Sequence, residues 1–301
     1  MATPQNGIFA LGTASHAYLE FDALDPGQTA ELVAAVASLR EPRTTMGGVN
    51  LVAGFRPEHW RALVPEDAPA DVEGFNRELV GVDGYLMPAT QHDAVTWLSG
   101  SAYDVIFDMS RGVIEALRAC ASVATETASC SHQHDRDLTG FIDGTENPSL
   151  VDAPGIALIP DGNAGAGGTI LLLQKWSHDA TAWESLEAAS QERVMGRTKD
   201  ESIELEQKAP DSHVARTDQD RFGKIFRRNM AYGTATDHGT MFVGFSAEQR
   251  RLSEMLESMA GLTDGVRDEL SKYARPLTGA YYFVPSSQSL RQRPGDVGTR
   301  P

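Results

Sequence analysis

The residues best able to do chemistry in this sequence fall in three short runs. Asp143 stands in GFIDGTENP, Gly140 to Pro148, where two glycines bracket Phe141, Ile142 and the acid. Glycines permit tight backbone geometry, so a carboxylate is held here beside apolar side chains. A carboxylate so placed can take and return a proton, although an isolated Asp-Gly pair is also an ordinary turn former. His213 lies in PDSHVART, Pro210 to Thr217. Its imidazole is either a metal ligand or a satisfied polar residue, and spacing alone does not choose. Arg227, Arg228 and Asn229 lie in KIFRRNMAYG, Lys224 to Gly233. Two guanidinium groups in an apolar, aromatic setting can hold an anion, or can flank a strand with buried stems and solvated heads.

Other constellations are weaker. Cys130, His132 and His134 form C-x-H-x-H, which on a strand would place three soft ligands on one face. A closed metal site usually takes a fourth ligand, and no paired cluster stands elsewhere in the sequence. Gly165, Gly167 and Gly168 precede a predicted strand, whereas a phosphate cradle needs strand, loop and then helix. No G-x-x-x-x-G-K-[ST], G-x-S-x-G or H-E-x-x-H motif occurs.

The elements that must position these runs follow from hydrophobic spacing. Ser15 to Asp22 alternates Ala17, Leu19 and Phe21 with His16, Tyr18 and Glu20, the period of a half-buried strand. Thr29 to Leu39 carries Leu32, Val33, Val36 and Leu39 at helical spacing. Gly47 to Phe55 reads as a strand, Pro57 to Leu63 as a helix, Asp83 to Met87 and Asp104 to Met109 as strands, and Arg111 to Val123 as a helix. A soft stretch rich in Pro and Gly, Asn147 to Gly168, divides the chain into parts 1–146 and 147–301. Beyond it, Thr169 to Trp176 reads as a strand, Asp179 as the N-cap of a helix carrying Trp183, Leu186 and Val194, and Gly279 to Val284 as the last strand. Leu51 to Arg61 and Met241 to Arg251 align without a gap, which suggests an internal duplication. Ser286 to Pro301 reads as a mobile polar tail.

Composition bounds the function. At 301 residues, 41% hydrophobic and 23% charged, the chain has the make-up of a folded globular protein. Its 42 acidic against 26 basic residues, a formal charge of −16, would repel nucleic acid and anionic membrane alike. Cys120 and Cys130 are too few for a disulfide framework. The first residues lack a basic and apolar leader pattern, so a cytoplasmic location is expected.

Taken together, GFIDGTENP, ERVMGRTKDESIEL (Glu192 to Leu205), SHVART, IFRRNMAYGTA and LTGAYYFVPS, with PATQHD at Pro88 to Asp93, resemble the dye-decolourising peroxidase family, in particular its bacterial cytoplasmic branch. The resemblance spans nearly the whole chain. It implies an α+β fold of two ferredoxin-like halves, each an antiparallel sheet with helices on one face, and haem b (iron protoporphyrin IX) in the C-terminal half. It implies that His213 is the protein ligand to iron, leaving the opposite face open for peroxide. Asp143 would be the acid that moves the peroxide proton, Arg227 the cation that stabilises the departing oxygen, and Asn229 a neutral positioning group. Gly144 and Thr145 would border the cofactor, and Arg197 would pair a propionate. Asp268 would accept from His213, with Asp264 and Glu269 as competitors. Arg228 competes with Arg227 for the distal position.

The implied partners are hydrogen peroxide and small electron donors, dyes and phenols among them, with no nucleic acid and no membrane. A homo-oligomer is expected, and the tail is either a charged end or a segment that docks to an encapsulating shell. Two rival functions use the same residues differently. One is a haem-handling protein that carries porphyrin or releases iron; the other is a non-enzymatic module holding zinc on Cys130, His132 and His134.

Overall fold

The first strand shows how the chain is built. In the computed structural model, which describes residues 2–41, 48–133 and 136–291, the alternating run forms β1 (Ser15–Ala23). Both of its faces are buried, His16, Tyr18 and Glu20 as fully as Leu19 and Phe21. The alternation therefore separates two interiors rather than core from solvent. One lies inside a closed sheet, and the other lies between the sheet and its helices.

The chain continues through α1 (Thr29–Ser38), β2 (Val49–Phe55), α2 (Pro57–Leu63), β3 (Leu79–Val80), β4 (Leu86–Met87), β5 (Ala94–Gly100), α3 (Tyr103–Leu117) and β6 (Ala121–Cys130). After a long connection with α4 (Ala153–Ala157) come β7 (Thr169–His178), α5 (Ala180–Glu184), α6 (Ala188–Met195), α7 (His213–Arg216) and α8 (Gln219–Phe222). The last part holds β8 (Phe226–Arg227), β9 (Met230–Gly233), β10 (His238–Ser246), α9 (Gln249–Met259), β11 (Ala274–Pro276), β12 (Ala280–Val284) and α10 (Ser287–Arg291). None of these helices is long and apolar enough to cross a membrane.

The large sheet runs β11-β7-β12-β2-β5-β1-β6-β9-β10-β8, and β7 also pairs with β10, closing a ring. Among the described residues its pairings are all antiparallel, and two seams are narrow: Phe283 opposite Phe55, and Ser129 and Cys130 opposite Tyr232 and Ala231. The ring encloses Tyr18, Trp97, Leu171, Val243, Phe245 and Tyr282. Outward-facing Leu19, Phe55, Leu98, Ile170, Leu172 and Phe283 pack instead with Leu32, Val36, Trp60, Val113 and Leu252 from the helices.

Several expectations change. Residues 104–109 are the start of α3, not a strand: Ile106, Ser110, Val113 and Leu117 are the buried positions, at helical spacing. The helix ends at Leu117, and Ala121–Cys130 is a strand whose small Ala, Ser and Thr side chains carry little hydrophobic signal. β5 shows no alternation because all seven of its residues are buried. Residues 82–84 form a turn, leaving only Leu86–Met87 of the run 83–87 in a short ladder with Leu79–Val80. The gapless match between residues 51–61 and 241–251 pairs β2–α2 with β10–α9. In the runs β6-β1-β5-β2 and β12-β7-β10-β9 these strands occupy different positions, β2 at an end and β10 inside. The strand matching β10 by position is β5, so the local similarity does not trace a repeat. At the C-terminal end, Ser287 donates to Thr3 O (2.8 Å) and Pro4 O (2.9 Å), which ties α10 to the start of the chain. Residues 292–301 of the expected tail lie outside the described residues.

His16 gives the ring a pH signature. Burial pulls its pKa from 6.5 down to about 4, and the Arg228 charge adds to this against a hydrogen bond with Thr13. Below pH 6.5 the unfolded chain binds this proton and the folded chain does not, so the contribution present above pH 6.5 is lost towards pH 4. The full loss is about 3 kcal/mol. Denaturant titrations of the cofactor-free chain at pH 7 and pH 4.5 are expected to show a smaller pH difference in His16→Asn than in the parent. Equal differences in the two proteins would contradict the assignment.

Candidate active site

The segment around Asp143 is pinned at several points. Asp137 N donates to Phe141 O (3.0 Å) and Gly140 N to Asp137 O (3.0 Å), a tight loop with Gly140 at φ 89°. Arg136 donates to the carbonyls of Gly140 (2.6 Å), Lys199 (3.1 Å) and Asp200 (2.8 Å), and Trp183 Nε1 donates to Thr139 O (2.9 Å). Gly144 has φ 72°, and a Cβ there would lie 2.9 Å from Asn147 Nδ2, so both conformation and space call for glycine.

That Asn147 ties two motifs together. Its Nδ2 donates to Arg227 O (2.8 Å), and its Oδ1 accepts from Arg227 N (2.9 Å). Arg227 is thus held by its backbone, while its guanidinium makes no hydrogen bond or ion pair with another described residue. Asn229 Nδ2 donates to Asp143 Oδ1 (3.0 Å), and Asn229 Oδ1 accepts from Val243 N (3.1 Å). Asp143, Arg227 and Asn229 line one cavity. Arg228 turns the other way, into the ring, where it is 3% exposed and lies 4.6 Å over the Trp97 ring. Alternation along an extended backbone separates the two arginines.

His213 opens α7 and lines the same cavity. Its Nδ1 lies 2.7 Å from Oδ2 of Asp268, a fully buried acid whose Oδ1 accepts from Leu270 N (2.9 Å). An ionised carboxylate only accepts, so Nδ1 carries the proton and Nε2 keeps its lone pair. The two competitors are engaged elsewhere: Asp264 accepts from Arg216 (2.7 Å) and Glu269 from Lys272 (2.9 Å). Arg197 also lines the cavity, bound to Glu146 and Ser202 O (2.9 Å) and more distantly to Glu204 (3.4 Å).

The cavity encloses about 1240 Å³ with its mouth, and all its lining residues lie between Asp137 and Ala274. Leu172, Met195, Ile225, Phe242, Leu252 and Met255 supply much of its apolar wall. Buried polar atoms on it have no hydrogen-bond partner among the described residues: both amide atoms of Gln174, Trp176 Nε1 and Arg227 Nε. A second, outer chamber shares Asp137, Asp143, Arg227, Asn229 and Thr240 with the first. Thr145 lines only the inner cavity and Gly144 only the outer chamber.

Sequence reasoning missed Asp137 and Asn147. Burial pushes the Asp137 carboxyl up to about 6, the Asp143 charge adds to this, and hydrogen bonds from Thr139 oppose it. Asn147 stood inside GFIDGTENP, so the motif itself was the signal; Asp137 carried none. Cys130 and His132 line the outer chamber, whereas His134 lies outside the described residues. Among the described residues no group of three His, Cys, Asp or Glu has metal-holding geometry.

Comparison with known proteins identifies the family. Residues 134–289 match the family described as Dyp-type peroxidase, C-terminal. The chain is 32% identical to a dye-decolorizing peroxidase of Rhodococcus erythropolis, over 99% of this chain and 91% of the relative. It is 34% identical to one of Mycobacterium tuberculosis, over 82% and 76%. Among solved structures, DyPB from Rhodococcus jostii RHA1 superposes with a TM-score of 0.88 at 31% identity, covering 97% of this chain and 98% of that one. A dye-decolorizing peroxidase from Bacteroides thetaiotaomicron superposes with a TM-score of 0.88 at 27% identity, covering 97% and 99%. A match over more than half of the chain, with relatives above 30% identity along most of both lengths, places the chain in the dye-decolorizing peroxidase family.

Proposed function

We propose that the inner cavity holds haem b with His213 as its protein ligand, and that the enzyme reduces hydrogen peroxide while oxidising dyes, phenols or other small electron donors. The observation that carries this reading is the His213–Asp268 pair. A buried carboxylate on Nδ1 orients the ring, leaves Nε2 as a ligand atom and makes the imidazole a stronger donor. The apolar wall suits the faces of a porphyrin, and the unpartnered polar atoms of Gln174 and Trp176 suit its polar periphery. A DypB variant from Rhodococcus jostii RHA1 is described in complex with heme.

When bound, haem supplies the electron transfer between donor and peroxide. The chain handles protons and charge. Asp143 takes the proton from one peroxide oxygen and returns it to the other, while Asn229 keeps its carboxylate oriented. Arg227, whose guanidinium is unpaired among the described residues, stabilises the charge that develops on the departing oxygen. These three border both cavities and His213 borders only the inner one, which favours peroxide arriving through the outer chamber. Thr145 and Gly144 shape the wall beside Asp143. Arg197 meets a propionate by exchanging its longer contact, Glu204.

The same reading divides the chain into ferredoxin-like halves, 1–146 and 147–301, with haem in the second. The equal orders β6-β1-β5-β2 and β12-β7-β10-β9 support the division. Asp137, Thr139, Phe141, Ile142, Asp143, Thr145 and Glu146, from the end of the first part, also reach the cavity. A cytoplasmic homo-oligomer is proposed on the family resemblance, and size-exclusion chromatography tests the assembly. Co-purification with and without residues 292–301 tests docking to an encapsulating shell.

The deciding experiment adds one equivalent of peroxide to the haem-loaded protein and then a phenolic donor. The expected result is a changed haem spectrum that reverts as donor is oxidised, with haem retained. Release of iron-free porphyrin in place of donor oxidation, or bound zinc with no haem band, would overturn the reading. Asp268→Asn is expected to lower haem affinity or peroxide reactivity by about 10- to 100-fold, the usual range for a group that orients a ligand. Unaltered titration and kinetics in that variant would contradict the role of Asp268.

A further inference from the structure

Arg228 is a buried cation without an ion-pair partner among the described residues. It donates to Gly7 O (2.7 Å) and Thr13 Oγ1 (3.0 Å), and its Nε is unpartnered. Burial lowers its pKa to about 10, which leaves it charged at neutral pH. Burying a guanidinium in this way is costly, and its place suggests what it does. The ring beneath it belongs to Trp97, stacked 5.7 Å from both Tyr18 and His16 and 6.0 Å from Phe245. Only the wall of the ring separates this stack from the cavity: along β10, Thr240 and Phe242 line the cavity, whereas Met241, Val243 and Phe245 face inward. Two of the most readily oxidised side chains, Trp97 and Tyr18, therefore lie inside the ring behind the strand that walls the cofactor site.

From this arrangement, and resting on the haem reading above, we infer that Arg228 is an electrostatic guard that keeps the oxidising equivalent in the cavity and out of the aromatic stack. Oxidation of Trp97 would pass one electron from its indole to the peroxide-oxidised haem. The indole proton would then stay in place or cross the 3.0 Å hydrogen bond from Nε1 to His16 Nδ1. His16 Nε2–H already donates to Thr13 O (3.1 Å), so the proton goes no further through that ring without a second transfer. Either way the stack gains one positive charge beside Arg228, which is 3% exposed, lies 4.6 Å over the Trp97 ring and has its other side on the outer chamber. Glu20, the carboxylate on the Tyr18 strand, is bound to Tyr282 Oη (2.7 Å) and Thr125 Oγ1 (2.5 Å).

The test uses haem-loaded protein treated with peroxide and no donor, read by electron paramagnetic resonance for aromatic radicals and by peptide mass spectrometry for oxidised Trp97. Arg228→Met is expected to raise both signals by about tenfold or more, a modest effect for a unit charge at this range even at an effective dielectric of about 20. Arg228→Lys, which keeps the charge, is expected to stay near the parent. Trp97→Phe, made with Arg228 intact, is expected to leave the lifetime of the peroxide-induced spectrum unchanged, and it carries the test if Arg228→Met does not fold. No rise in Arg228→Met despite a parent-like peroxide-induced spectrum would overturn the guard role. So would a changed lifetime in Trp97→Phe, which would make Trp97 a relay. Failure of the haem reading looks different, because then the parent itself shows no spectral response to peroxide.

Discussion

His213→Ala is expected to lose most bound haem, or to retain it with a spectrum that no longer shows histidine ligation. The expectation rests on a single geometric fact: Asp268, fully buried, holds Nδ1 at 2.7 Å and so commits Nε2 to the cavity. The other cavity histidine, His178, is a poor substitute. Its Nε2 lies 3.2 Å from Thr240 Oγ1, and no carboxylate among the described residues orients its ring as Asp268 orients His213. Removing the ligand also leaves Asp268 as a buried carboxylate without its partner, which adds a folding cost of about 3–5 kcal/mol. Haem titration of refolded His213→Ala and His213→Gln checks the assignment, and an unchanged ferric spectrum with parent affinity in both would sink it.

Asp143→Ala and Arg227→Ala are expected to bind haem like the parent but to react more slowly with peroxide. Losing the proton carrier is expected to cost about 10² to 10⁴ in rate, and losing the fixed cation about 10² to 10³. Arg227 is the cleaner case, because its side chain has no hydrogen bond or ion pair with another described residue and Asn147 holds its backbone through groups the substitution leaves intact. Asp143→Ala also removes the acceptor of Asn229 Nδ2, so Asp143→Asn is the better control for geometry. Stopped-flow mixing with peroxide separates this step from donor oxidation. Parent rates in both alanine variants would refute the assignment.

The motifs were legible because they are local. GFIDGTENP, SHVART and the arginine pair each hold their chemistry within a few residues, and the helix 29–38 could be read from hydrophobic spacing, with 57–63 also read as a helix. The choice among Asp264, Asp268 and Glu269 was not local. Three acids within six positions look alike in sequence, and only the packing of the turn after α9 buries Asp268 and sends the other two to Arg216 and Lys272. The same holds for Arg227 against Arg228, where strand alternation sends neighbours to opposite faces but only closure of the sheet makes one face a cavity wall and places the other over the Trp97 ring. Closure also explains one strand that was missed. With both of its faces buried, Ala94–Gly100 needs no polar side, whereas Ala121–Cys130 has one exposed face and buries only the small side chains of Ala121, Thr127 and Ser129 on the other, too little apolar contrast to read as alternation. The sequence by itself singled out the residues whose types suit proton, ligand and anion chemistry; the tertiary structure decided which of them meet, because burial and pairing across more than fifty residues leave no periodic trace along the chain.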